Sequence, residues 1–455
     1  MTNRTKMKKL LTTITILILT FSALSLAGQE AEPNPFETPD CIKDNVAFWK
    51  KIYAEISLEE GLIHDSEYPL VIYQKVTVGN LRGKQRRQVV GKYMDTIKQG
   101  LKIINGKPQS QWSDKEKEIY ALIEQHGDIN DLKDASSRLR FQLGQKERFK
   151  EGVERAAAYL DYIRQVFTEY GVPPRVAYLP HVESSFNVNA YSKVGAAGMW
   201  QFMRRTGRLF MNVGYNVDER RDPFKSTVAA AKLLMLNFQE LQSWPLAITA
   251  YNHGTESMKH AVELFGTRDL GVIIEKYKNR KFRFVSKNFY SCFLAASEIA
   301  ATPEQYFSNL SYQPPIQYNE VTLDNYFKPA VLAKHLGVPQ EELAELNPAL
   351  RPTVFHNQMS IPRGFRLRIP PSISPEAAAE KIAGLPRSLN SAESQGYQYY
   401  SVEKGDTLYG IALDFGVSME MILAANDIER ENRLSIGQVL RIPVKNVPAA
   451  AKDIR

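Results

Sequence analysis

The chain has 455 residues, more than one hydrophobic core usually serves, so two to four domains are expected. With 44% hydrophobic and 24% charged residues and a net charge of +8, the composition is that of a globular protein and excludes a fibrous or disordered chain. Only two cysteines are present, Cys41 and Cys292, which excludes a disulfide-dense scaffold and leaves one bridge or two free thiols open.

Arg4, Lys6, Lys8 and Lys9 precede an apolar run from Leu10 to Leu26, and small residues follow at Ala27 and Gly28. This pattern reads as a secretory signal peptide over residues 1–27, with a retained membrane anchor as the alternative. Gln29 stands where lipid attachment would need a cysteine, and loss of the segment leaves a charge of +4. Residues 28–40 are polar and proline-rich, a flexible lead-in. Residues 41–144 are expected to form a mostly helical N-terminal region with one strand at Pro69–Val78 and a solvated basic run from Arg82 to Arg87.

From Phe149 the pattern sharpens. Phe149, Val153, Ala156, Leu160, Ile163 and Phe167 recur at helical spacing and predict one amphipathic helix, which Gly171 stops. Pro173 and Pro174 open a short helix that runs to about Ser184. Ser226 is placed to cap a further helix with Val228, Ala231, Met235, Phe238 and Leu241 on one face. Helical stretches follow at Trp244–Tyr251 and Phe289–Ala300. Residues 145–310 thus form an almost purely helical domain.

After Ala301 the chain repeats itself. Leu332, Gly337, Val338, Leu343 and Asn347 match Ile411, Gly416, Val417, Ile422 and Asn426 at one common offset, while the closing prolines, Pro370 and Pro443, stand closer together, so the first copy is longer in its last loop. Residues 315–371 and 397–444 are therefore read as two copies of one module. Residues 372–396 read as a linker, and 445–455 as a tail.

Splitting a glycosidic bond needs an acid that stays protonated near neutral pH, hence a carboxyl in an apolar, poorly solvated place. Glu183 lies at the C-terminal end of its helix beside Leu179, Val182 and Phe186, where desolvation and the helix dipole both disfavour its ionised form. It is followed by Ser184-Ser185-Phe186-Asn187 and then by Ala190-Tyr191-Ser192-Lys193-Val194-Gly195-Ala196-Ala197-Gly198-Met199-Trp200-Gln201-Phe202-Met203 and Thr206. Asp218, Arg220, Asp222-Pro223, Ala229-Ala230 and Ala250-Tyr251-Asn252-His253-Gly254 complete the set.

In these blocks the chain resembles the lysozyme-like lytic murein transglycosylases, and its overall spacing is similar to the membrane-bound transglycosylase D type. The resemblance implies a peptidoglycan lytic transglycosylase that cleaves the bond between N-acetylmuramic acid and N-acetylglucosamine without water, leaving 1,6-anhydromuramyl ends. It implies Glu183 as the one general acid and base. It also implies Ser192, Gln201, Met203, Thr206 and Tyr251 as the lining of the sugar cleft, Tyr251 bonding Glu183 or the developing charge, and Asn252 supporting its loop. Gly195 and Gly198 are read as tight turns beside the substrate or as purely structural turns, and Met199 and Trp200 as core or cleft wall.

Two positions depart from the family pattern: Arg204 stands where proline is common, and His253 where a small residue is. His253 is read as a scaffold residue. Asp218 and Asp222 are read as structural ion pairs with nearby arginines. The competing readings are a hydrolase of peptidoglycan or a chitin-type glycan using Glu183 with Asp218 or Asp222, and a non-catalytic wall-binding protein.

In the second repeat, Tyr400 to Leu408 with Gly405-Asp406-Thr407 enters a βααβ pattern that resembles a LysM module, which binds GlcNAc-containing chains. In the first repeat Tyr326-Phe327-Lys328-Pro329 replaces that stretch, making it a degenerate copy. The fold class is thus mainly α, a lysozyme-like transglycosylase domain with an N-terminal helical region and C-terminal α+β LysM modules. The expected partners are peptidoglycan glycan strands, met in the periplasm or at the cell envelope by a monomer. With no phosphate-binding glycine loop and no Cys/His cluster, no cofactor, metal or nucleic acid is expected.

Overall fold

The first ordered helix, α1 (Lys43–Ala54), does not belong with the segment that follows it. Its Phe48, Trp49, Ile52 and Tyr53 are buried in one apolar cluster with α12 (Phe284–Ala301), the last helix of the middle domain. The computed structural model describes residues 34–385 and 396–444, apart from positions 193, 215, 357–358, 404, 427 and 429–433. The expected signal peptide and the C-terminal tail lie outside the described residues.

After α1 come β1 (Glu60–Asp65), β2 (Ile72–Thr77), α2 (Gly83–Gly106), α3 (Asp114–His126) and β3 (Leu139–Leu143). The strands make an antiparallel sheet in the order β2-β1-β3, with Gly61 opposite Val76 and Leu143. Ile63 and Val76 from the sheet, with Val71 just before β2, meet Ile97, Leu101, Ile119 and Ile123 from α2 and α3 in a core of their own. The expected mostly helical region thus carries a three-stranded sheet. The strand expected at Pro69–Val78 is β2; β1 and β3 give no sequence signal because such short strands, carrying a histidine or an arginine among their apolar residues, show no clean alternation. The run from Arg82 to Arg87 lies on the first turn of α2, largely exposed.

The single helix expected from Phe149 to Phe167 is two, α4 (Lys146–Ala156) and α5 (Leu160–Tyr170), broken by a turn at 157–159 that lets the apolar stripe change direction. Gly171 ends α5 in the left-handed region at φ 74°. A 3-10 turn at Pro174–Tyr178 leads into α6 (Pro180–Glu183), and α7 (Arg204–Gly207) follows the long loop. Next is α8 (Pro223–Leu241), capped by the carboxylate of Asp222 on the amides of Phe224 and Lys225, not by Ser226, whose hydroxyl is buried and donates to Asp222 O. Its buried face is Ala230, Leu234, Asn237 and Leu241, turned from the expected one, so Val228, Met235 and Phe238 are half-buried. Then come α9 (Trp244–His253), α10 (Thr255–Phe265), α11 (Leu270–Lys276) and α12. Cys41 is exposed, Cys292 buried, and the two are not bridged.

The two repeats have the same frame. In the first, β4 (Asn319–Thr322) pairs antiparallel with β5 (Arg366–Ile369) across α13 (Pro329–Leu336), α14 (Gln340–Leu346) and α15 (Pro352–Phe355). The expected linker is corrected here: its Ala-Glu composition forms α16 (Pro375–Ala383), whose Ala378 and Ile382 are buried in the core of the first repeat. In the second, β6 (Gly396–Ser401) pairs with β7 (Val439–Val444) around α17 (Leu408–Asp414) and α18 (Met419–Asn426). The same asparagine ties helix to strand in both. Asn347 donates to Arg368 O at 2.7 Å and accepts from Arg368 N, as Asn426 does with Arg441. Among the described residues no single helix is long and apolar enough to cross a membrane.

If α1 is part of the middle domain's core, Phe48→Ala should cost about 3–5 kcal/mol and lower the melting temperature by roughly 10 °C. A drop under about 2 °C in a thermal melt would make α1 a detachable arm.

Candidate active site

Glu183 closes α6 and is at once followed by two non-glycine residues in the left-handed region, Ser185 at φ 52° and Phe186 at φ 57°. Such backbone costs on the order of 1–3 kcal/mol per residue and persists only where the surroundings fix it. Here Arg155 does so, donating Nε and Nη2 to Ser185 O at 3.0 and 2.8 Å, while Phe186 is fully buried against His181. Gly152 of α4 comes so close to Ser185 that an added Cβ would sit 3.0 Å from the serine's own. The turn redirects the chain immediately after the carboxylate.

Glu183 keeps part of its surface open while protein packs densely round the carboxyl. Among the described residues none hydrogen-bonds to its oxygens, and burial alone raises its pKa to about 8. Two phenols stand within electrostatic reach, Tyr251 of α9 and Tyr53 of α1, and burial together with the nearby Glu183 pushes both far up. The Tyr251 hydroxyl donates to Trp200 O at 2.9 Å, so its hydrogen bond goes to the loop and not to Glu183. Tyr53 lies beside the buried Cys292 and stacks on Phe149, which stacks on His181. His181, buried between aromatic rings, is held neutral with its pKa down to about 3. The sequence offered no sign of Tyr53, which lies far upstream of Glu183 and in no motif.

The loop after Glu183 is pinned to this site: Ser184 donates to Met199 O at 2.7 Å, and short bridges join Tyr191 to Ala197 and Ala197 to Phe202. Ser192 spends its hydroxyl accepting from Ala196 N at 2.9 Å and so shapes the turn. Gln201 sits at φ 49° with its amide on Gly198 O at 2.8 Å. Met203 is exposed, and Thr206 is half-buried on α7. Met199 and Trp200 have no exposed surface, and the Trp200 indole donates to Thr227, so both are core. Gly198 has a structural reason: at φ 78° a Cβ there would lie 1.8 Å from Arg220 O. Asn252 is exposed and accepts from Ser286 Oγ, while His253 is hydrogen-bonded to Ser286 and Ser257, a scaffold histidine. Arg204 donates to Ala424 O of the second repeat at 3.1 Å.

Neither further aspartate is available as a second carboxylate. Asp218 is fully buried; burial alone would raise its pKa, but hydrogen bonds from Arg220 and the charge of Arg351 hold it below the usual range. Asp222 caps α8 and pairs with Arg368 at 2.8 Å. Among the described residues no group of three or more His, Cys, Asp or Glu side chains could hold a metal ion. What the arrangement can do is give a proton from Glu183 and take it back, in a desolvated place with Tyr53 and Tyr251 within electrostatic reach.

Residues 161–271 match the family model of the transglycosylase SLT domain and residues 400–443 that of the LysM domain. The chain therefore carries a transglycosylase SLT domain and, after it, a LysM domain. Membrane-bound lytic murein transglycosylase D of Escherichia coli strain K12 is 27% identical over 308 residues, 63% of this chain and 64% of that protein, so the match spans just under two thirds of the relative. N-acetylmuramoyl-L-alanine amidase XlyB of Bacillus subtilis is 39% identical over 69 residues, 15% of this chain and 22% of its own. The soluble lytic transglycosylase SLT70 of E. coli aligns over 51% of this chain and 38% of its own at 17% identity and a TM-score of 0.29, too low to bear on the fold.

A carboxyl whose folded pKa is near 8, above the ordinary 4.5, favours folding fully only below about pH 4.5, and that contribution is lost as pH rises through 8. Glu183→Gln does not titrate, so its melting temperature should gain on the wild type between about pH 5 and pH 8 and level off above that. A difference that stays constant over that range would mean that Glu183 ionises like an exposed carboxylate.

Proposed function

We propose that the chain is an exported peptidoglycan lytic transglycosylase of the cell envelope, with Glu183 as its single general acid and base. The observation that carries this reading is the desolvated carboxyl of Glu183, about 90% protonated at pH 7 given a pKa near 8 and flanked by two phenols. Protonated Glu183 gives its proton to the oxygen between N-acetylmuramic acid and N-acetylglucosamine as that bond breaks. The carboxylate then takes the proton of the muramyl C6 hydroxyl, whose oxygen closes on C1 of the same sugar. Proton and electron pairs balance within one strand, and Glu183 ends as it began. Intramolecular attack needs no carboxylate to hold a water. This agrees with Asp218 and Asp222 both being committed to arginines, which removes the support for the hydrolase reading.

Ser192, Gln201, Met203, Thr206, Tyr251 and Asn252 line the glycan path in this reading, the first two chiefly through the backbone they shape. The second LysM module holds the enzyme on GlcNAc-containing chains, its Asp406 fixing the turn before α17 by accepting from Tyr400 Oη at 2.8 Å and Glu403 N at 2.7 Å. A weak module beside a catalytic domain for the same polymer acts by raising local concentration.

Mass spectrometry of digested peptidoglycan should reveal 1,6-anhydromuramyl ends from the mature protein and at least a hundredfold fewer with Glu183→Gln. Their yield in wild type should fall as pH rises past 8. Reducing muramyl ends would instead establish a hydrolase. Deleting residues 397–444 should weaken sacculus pull-down while leaving turnover of short soluble glycans within about twofold, and undiminished pull-down would remove the module's anchoring role.

A further inference from the structure

Arg351 belongs to the first repeat, yet its side chain ends inside the middle domain. Its Nη2 donates to Asp218 Oδ2 at 2.7 Å and its Nε to Gly214 O at 3.0 Å. Asp218 passes the contact on, accepting Arg220 Nε and Nη2 on its two oxygens, each at 2.9 Å. Arg220 then donates Nη1 to Gly195 O at 2.8 Å and to Phe202 O at 3.0 Å. Those two carbonyls belong to the loop that Ser184 and Tyr251 pin from the side of Glu183. Arg220 closes on the same loop with its backbone, against Gly198, and its side chain packs on Gly207 of α7. The loop is therefore clamped from two sides, and the outer clamp leads back through two fully buried groups, Arg220 and Asp218, to a residue of another module.

The first repeat is fixed in place by more than this. Asp218 N donates to Ala349 O at 2.7 Å, Arg351 N to Asn216 O at 3.0 Å, and Arg221 Nη1 to Leu350 O at 3.2 Å. Arg368, buried, pairs with Asp222 and lies over the rings of Phe224 and Tyr318 at 4.8 and 4.7 Å. Meanwhile the segment that replaces the second module's Gly-Asp-Thr-Leu has turned inward: Phe327 is buried in its own core and its backbone bridges Ile361.

We propose that Arg351 is a positioning residue for the reaction at Glu183, and that the first LysM-like repeat is a fixed wall of the catalytic domain that sets the 190–203 loop through Asp218 and Arg220. The proposal rests on the assignment of that loop to the glycan made above. Arg351 touches neither substrate nor Glu183; it acts by holding Asp218, which holds Arg220, which holds the loop carbonyls in register with the acid.

The test uses the full mature chain and soluble peptidoglycan fragments. Arg351→Met should lower kcat/KM about tenfold, and Arg351→Lys should restore part of it. Arg368→Met is the control, because it loosens the same interface at the α8 cap without touching Arg220, and it should lower the melting temperature yet keep kcat/KM within about twofold. Amide exchange in residues 190–203 should quicken in Arg351→Met and not in Arg368→Met. Wild-type kinetics and exchange in Arg351→Met, or equal losses in both Met variants, would overturn the proposal. A wild type that makes no product would instead sink the proposed function, and the exchange comparison would still decide whether the relay exists.

Discussion

A carboxylate with no exposed surface, Asp218, accepts from two guanidinium groups that arrive from different modules, Arg220 from its own loop and Arg351 from the first repeat. Taking three charges out of water is expensive, and their mutual attraction repays the cost only if every hydrogen bond is made. Here the bonds are made: the two Asp218 oxygens take three guanidinium N–H groups between 2.7 and 2.9 Å and the Arg220 amide at 3.3 Å, and Arg220 spends its remaining nitrogen on two loop carbonyls. Removing one partner of such a set typically costs about 3–5 kcal/mol, because the others stay buried and unpaired. The interaction is therefore one of geometry more than of net stability, since apolar residues of the same volume could have packed there without demanding one orientation.

The chemistry proposed at Glu183 draws on that geometry from the outside and on desolvation from the inside. The carboxyl has no hydrogen-bond donor among the described residues, so nothing offsets the loss of water, and the acid stays protonated into the neutral range. Supplying the dry side takes a helix from outside the SLT-matched stretch. Tyr53 of α1 stands within electrostatic reach of it, and Phe149, His181 and Phe186 extend the aromatic packing behind. A neutral His181 adds no positive charge that would pull the glutamate's pKa back down. Local strain at Ser185 and Phe186 is tolerable because Arg155 and the buried Phe186 ring over-determine the turn.

Much of this was legible in the chain, for reasons that differ by residue. Glu183 could be found because its motif is local and because Leu179, Val182 and Phe186 announce an apolar setting close by in sequence. The repeat could be found because Asn347 and Asn426 do the same work at the same offset, tying helix to strand. Tyr53 could not, since nothing in so distant an upstream helix marks which ring will face the acid. Nor could the partners of Asp218 and Asp222: arginines at 220 and 221 suggested local ion pairs, but Arg351 and Arg368 lie in another module and complete them only in the fold. The stretch read as a linker shows a different limit. Alanine and glutamate suit a solvated tether and a helix equally, and only Ala378 and Ile382, one helical turn apart on a buried face, separate the two.

The two repeats show what happens when one frame is used for two purposes. In the second copy Asp406 and Thr407 build a polar turn, the aspartate holding Glu403 N and the threonine capping α17. The first copy instead spends Arg351 and Arg368 on the neighbouring domain and closes its own turn over the buried Phe327. The second copy touches both, with Met421 buried in the core of the first repeat and Ala424 O accepting from Arg204. Arg204 is the residue that departs from the family pattern just after Met203. A proline there would satisfy the first turn of α7 equally well, having no amide to lose, but could not reach the second module. The departure thus has a physical reason in the contact between modules, and it places the LysM-matched copy beside the same loop that the other copy holds.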